Sequence, residues 1–326
     1  MRMQAWLTWI TGAVTVLYIA MTVSHVHWDA VMALKPGPAQ AVVGALVLVM
    51  TGFGLGWINI AADWSRYQRR DASGASIVFW NTFGGALAPV ILVVYGLLLA
   101  GSDKKLLAGI SVDPVGTLAT ILPTWVLVPF LVAAILALVS GAVLGIYSSG
   151  LTLLSLGVRI PRPSAAFIDG IILTAGTIYV VFFAESFLGP FQSFLITLGV
   201  PLAAWAGIMI ADIALRHRDY DEEALFDARG RYGAWDWTSI AVMVVCSVLG
   251  WGLVVNNFAQ DAAWNNWQGY LLHPLGLGTY VNDPAGPYWE GNWAYANLGV
   301  LLALVLGFVA TLVLRRGTVR RQEGAA

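Results

Sequence analysis

Gly56-Trp57-Ile58-Asn59-Ile60-Ala61-Ala62-Asp63-Trp64-Ser65-Arg66-Tyr67 closes an apolar run that also carries Gly52 and Gly54 and passes straight into a basic loop. Residues 41–62 are long enough to cross a bilayer, whose core of about 30 Å needs roughly 20 apolar residues in a helix. Glycines inside such a span loosen the backbone where only protein or a water-filled cavity can satisfy the freed polar groups. The stretch therefore reads as a membrane span that meets a solute or an ion.

Seven further stretches of this kind lie at residues 5–24, 75–100, 125–157, 167–187, 191–215, 238–255 and 294–314. The composition agrees: 11% of residues are charged and 59% hydrophobic, against about 25% charged in soluble chains. The expected fold is an all-α integral membrane protein of about eight transmembrane helices. The first span lacks a small-x-small cleavage pattern before His25 and reads as retained. Cys246, the single cysteine, excludes an internal disulfide and reads as a packing residue.

Orientation follows from the cations. With an even number of spans, Arg2, Arg66, Arg69, Arg70, Arg159, Arg162, the arginines at 216, 218, 229 and 231, and those at 315, 316, 320 and 321 share one side, whereas Lys35, Lys104 and Lys105 face the other. A multi-pass protein of the cytoplasmic membrane with both termini in the cytoplasm is expected. The acidic and basic loop before Trp237 reads as a solvated linker at 218–237, dividing a transporter core at 1–217 from a two-helix C-terminal appendix at 238–326 with a long external loop and a basic tail. That external segment, with Trp264, Trp267, Tyr270, Tyr288, Trp289 and Trp293, reads as an interfacial aromatic belt.

The fourth stretch is longer than a perpendicular helix needs. Ser140-Gly141, Gly145 and Ser148-Ser149-Gly150 supply an expected break in its middle, with close small-residue packing as the equal alternative. Enzyme or redox chemistry would need ligand or acid–base clusters at membrane depth, yet His25, His27, His217 and His273 all fall in predicted loops. Carboxylates lie at span ends: Asp63 and Asp212 beside Arg66 and Arg216, with Asp169 and Glu185 bracketing the fifth span. A neutral solute fits this absence of midplane counter-charge. Trp57 offers a stacking platform and Asn59 an amide, while Pro201, flanked by Gly199 and Gly207, gives the sixth span a cause for a kink or hinge.

Three elements carry a family resemblance. Gly56-Trp57 with Ala61-Ala62-Asp63-Trp64-Ser65-Arg66-Tyr67, Ile146-Tyr147-Ser148-Ser149-Gly150-Leu151, and Pro201 through Ala206-Gly207-Ile208-Met209-Ile210-Ala211-Asp212 resemble motifs of the nucleobase:cation symporter family, the purine, cytosine, allantoin and hydantoin permeases. The resemblance implies a partial leucine-transporter-type fold of inverted repeats, with the eight spans matching the family's fifth to twelfth helices and the first four absent. It implies a substrate site near Gly54, Gly56, Trp57, Asn59, Gly145 and Tyr147, and Ser140 as a cation ligand. Gly145 stands where the family carries a base-binding Asn, and Ile213 where it carries Tyr.

The function implied is secondary active transport of a nucleobase or related neutral planar heterocycle, coupled to sodium or protons, without a cofactor, an enzymatic step or a nucleic-acid partner. The expected partners are the small-molecule substrate, the lipid bilayer and another chain supplying the absent N-terminal helices. The competing reading is a truncated, non-transporting membrane remnant or interaction subunit of such a permease.

Overall fold

The computed structural model describes residues 2–65, 67–69, 71–157, 159–183, 188–256, 267–283 and 287–324. In chain order the helices are α1 (Arg2–Thr22), α2 (Trp28–Met32), α3 (Ala39–Val49), α4 (Gly56–Ser65), α5 (Gly74–Ser102), α6 (Lys104–Val112), α7 (Pro114–Thr120), α8 (Thr124–Ser155), α9 (Arg162–Phe182), α10 (Leu188–Leu215), α11 (Trp237–Trp251), α12 (Leu298–Leu314) and α13 (Arg316–Gly324). A hairpin pairs strands β1 (Thr279–Val281) and β2 (Tyr288–Glu290) between α11 and α12.

Among the described residues, six helical segments are long and apolar enough to cross a membrane, or seven if α12 and α13, bent by 52° at Arg315, count as one. All eight predicted stretches contain a helix, but the last two are short. α11 has 15 residues and α12 has 17, about 23 and 26 Å at 1.5 Å per residue. The cause lies in residues 252–255 and 294–297, which leave the helices to build a separate packed cap: Leu253, Val255 and Ala294 join Leu272 and Trp289 in its core.

The helices form two compact units, Met1–Pro36 with Ile60–Glu185, and Gly37–Asn59 with Ser186–Ala326. In the second unit α11 and α12 pack on α10. In the first unit, Tyr18 stacks on Phe130 at 5.1 Å and Thr22 shares a 2.6 Å hydrogen bond with Tyr95, inside a core with Leu99, Leu106 and Val126. α8 is continuous over 32 residues, about 48 Å, so the expected break at Ser140 to Gly150 does not occur. An α-helix already satisfies its own backbone groups, and small residues on it require no interruption.

In the second unit, half of the apolar window of α10 is buried (50%), unlike the lipid-type exposure of the other spans. Close approach is made by small residues: a Cβ on Gly307 would stand 2.6 Å from Ala204 O, and one on Gly250 2.8 Å from Gly299 O. Helices in lipid associate through such backbone proximity because there is no apolar driving force between them.

Part of the aromatic segment packs into the cap, while Trp267, Tyr270 and Tyr288 stay about half exposed. Trp289 is buried and meets Tyr280 edge-to-face at 5.4 Å, Trp267 meets Trp251 at 5.2 Å, and the Tyr270 hydroxyl donates to Val248 O. Gly291, at φ 124°, supplies the turn after β2 that L side chains rarely adopt. Asn297, left-handed at φ 50°, accepts from Val255 N through Oδ1 at 2.9 Å and so ties the end of α11 to the start of α12. Trp264 lies outside the described residues.

Candidate functional site

The glycine-rich span does loosen. Between α3 and α4, Met50–Leu55 forms a π-helical turn that carries Gly52 and Gly54, and Gly56 opens α4. Such wide turns are uncommon, shift carbonyls off the regular ladder and recur at functional positions. A Cβ at Gly52, Gly54 or Gly56 would meet nothing within 4 Å, so none of the three is packed against a neighbour. Trp57 follows directly and is 47% exposed. The Asn59 side chain falls outside the description, although its backbone continues α4. In contrast, Thr51 in the same turn is buried, donates to Val47 O at 3.0 Å and presses its methyl toward Gly199, where a Cβ would stand 2.5 Å from Thr51 Cγ2.

Of the three residues expected to hinge the sixth span, Gly199 and Gly207 both serve close packing. Gly199 receives Thr51, and Gly207 lies against the backbone of Leu304 and Phe308. α10 continues through Pro201 as one helix.

Gly145, Tyr147 and Ser140 lie on α8 in the first unit. Gly145 faces open space, while Tyr147 shares a 2.6 Å hydroxyl hydrogen bond with Tyr67, just beyond the end of α4. This joins two of the sequence elements quoted above within one unit. Ser140 is engaged within the fold. Ser148, next to Tyr147, is buried with an unpartnered Oγ, a feature the sequence motif alone did not mark as unusual. Asp169 sits about two turns inside α9 rather than at a span end, because that helix starts at Arg162, and its Oδ2 is buried without a partner. Glu185 and Arg66 lie outside the described residues.

Asp212 is the best-partnered carboxylate. It accepts from Arg216 Nε at 2.8 Å and Nη2 at 3.3 Å, from Arg315 Nη1 and from the Tyr220 hydroxyl. The Arg216 guanidinium also lies 4.1 Å over the Tyr220 ring and donates to Gln322 Oε1 at 2.9 Å. Arg315 Nε approaches Asp236 at 2.7 Å, an ion pair by distance without hydrogen-bond alignment. Glu323 Oε1 accepts from the His217 and Arg218 N–H groups at 2.7 and 3.0 Å. These N–H groups hold the Glu323 carboxyl below its ordinary range. The Asp212–Arg216 pairing expected from the sequence is thus part of a larger network that docks α13 on the end of α10. Among the described residues, no group of three His, Cys, Asp or Glu side chains is placed to hold a metal.

Residues 1–272 match the model of a family of permeases for cytosine/purines, uracil, thiamine and allantoin. The chain belongs to this family. Its members are transporters, so the chain is a permease rather than an enzyme. No curated protein and no solved structure matches the chain. The hairpin, α12 and α13 lie beyond the matched residues.

Proposed function

We propose that this permease moves a neutral planar heterocycle of the nucleobase type across the cytoplasmic membrane, coupled to sodium or protons. The observation that carries the reading is the half-exposed Trp57 directly after a glycine-lined π turn. A ring so placed can stack on a flat solute, while carbonyls displaced from the helical ladder can meet its N–H edges. Gly145 and Tyr147 contribute to recognition in the first unit, Ser140 ligates the coupling cation, and Pro201 provides a hinge in α10. Both termini lie in the cytoplasm. Within the second unit, the arginine network at the end of α10 is far along that helix from the hairpin, as a positive-inside arrangement requires.

Radiolabelled cytosine, adenine, hypoxanthine and allantoin, presented to the chain in lipid nanodiscs, test the substrate reading. Saturable binding of one of them is expected, and a sodium or proton dependence identifies the coupling ion. Absence of saturable binding by all four favours the remnant or interaction-subunit reading. Reporter fusions after Arg162 and Arg231 should report cytoplasm and one near Lys105 the outside; reversal would overturn the orientation.

A further inference from the structure

At the end of the second unit remote from the arginine network, the cap borders an open cavity of about 720 Å³ beside α3 and α10. This lies within the range of about 300–1,000 Å³ usual for small-molecule sites. Its floor is apolar, with Ala45, Leu48 and Ile196. Its rim combines the amides of Gln40, Gln192 and Asn292, the rings of Tyr288 and Tyr295, and the Glu290 carboxylate.

The polar groups are what distinguish this cavity. One further amide of the lining is held by the fold: Asn297 accepts from Val255 N at 2.9 Å and donates to Tyr295 O at 3.4 Å. Among the described residues, the side chains of Gln40 and Gln192, both partly buried, and of the exposed Asn292 have no hydrogen-bond partner, although they come from three separate elements and line one space. Each amide presents two donors and an acceptor. No lysine or arginine lines the cavity, which disfavours an anion, and three uncharged amides against one carboxylate do not make a cation cage. Walls of this chemistry, amides beside two tyrosine rings, complement a neutral molecule that carries both N–H and C=O groups.

We propose that this cavity is an outer binding site for a neutral planar heterocycle carrying both N–H donors and carbonyl acceptors, distinct from the Trp57 face. The ligand's identity rests on the substrate reading above, whereas the site rests on the unpartnered amides. Much of its wall, from Tyr288 to Asn297, lies beyond the residues that match the family model.

Ala41 lines the cavity and Cys246 is buried, so Ala41→Cys supplies a single accessible thiol. Its labelling by a membrane-impermeant maleimide, with and without saturating cytosine or allantoin, reads occupation. Severalfold slower labelling is expected with one of these ligands. The protection should vanish when Gln192→Leu or Asn292→Ala is added and persist when Trp57→Ala is added. Full-speed labelling in a chain that still binds radiolabelled ligand would overturn the outer site and leave the transporter reading intact. Protection that survives Gln192→Leu and Asn292→Ala, or is lost with Trp57→Ala, would equally overturn it. A chain that binds neither compound by either readout would overturn both readings.

Discussion

Removing the Asp212 carboxylate should be among the most destabilising single changes in the second unit. Asp212→Ala would strip the partner from two guanidinia whose side chains are only 8% and 9% exposed. Breaking a buried ion pair from one side costs about 3–5 kcal/mol, because the remaining charge is left desolvated. Two features place the value near the lower end. Arg315 keeps its approach to Asp236, and Arg216 keeps Gln322 and the Tyr220 face. A neighbouring cavity of about 380 Å³, lined by Asp212 and both arginines, also admits water to the freed charges. The expected loss is therefore about 3 kcal/mol, roughly a hundredfold in the folding equilibrium. SDS-driven unfolding in mixed micelles, followed by circular dichroism, measures it. Adding Arg216→Ala should cost less than the sum of the two single changes, since it removes one of the stranded charges. The same variant should release α13, seen as faster tryptic cleavage at Arg320 and Arg321. A loss within the about 0–1 kcal/mol typical of exposed pairs, with unchanged cleavage, would refute the buried-network argument.

If Trp57 stacks on the solute, Trp57→Ala should weaken binding by roughly 1–3 kcal/mol and Trp57→Phe by much less, measured by equilibrium binding in nanodiscs; equal losses would point to packing instead. Gly145 faces open space, so Gly145→Asn has room for an amide and should tighten binding of cytosine or a purine through new hydrogen bonds of about 0.5–1.5 kcal/mol each; unchanged affinity in a folded variant would show that Gly145 does not face the solute. The Glu323 carboxyl is held below its ordinary value first by the His217 N–H and then by the Arg218 N–H, so its hold on the tail is complete at neutral pH and fades as pH falls below about 4.3 and through its depressed value. Amide exchange at His217 and Arg218 should thus be slower than in Glu323→Gln at neutral pH and match it in acid; a difference that persists in strong acid would contradict this.

Apolar run length was enough to locate, among the described residues, the helices that could span a membrane, because a backbone in lipid has few ways to satisfy its own hydrogen bonds. The glycine spacing before Trp57 likewise announced a loosened helix, and the four-residue separation of Asp212 and Arg216 placed their charges on one face. Tertiary structure decided the rest. Arg315 reaches Asp212 across 103 positions of chain. The glycines of α8 leave that helix whole, whereas Gly299 and Gly307 mark backbone contacts with partners that the local sequence does not name. The aromatic segment after α11 had the composition of an interfacial belt, yet Trp289 is buried through strand pairing with Tyr280 and a core that includes Leu253 and Leu272. Composition records how apolar a segment is. Whether lipid or another part of the chain covers it depends on contacts far apart in sequence, and these arise only when the chain packs.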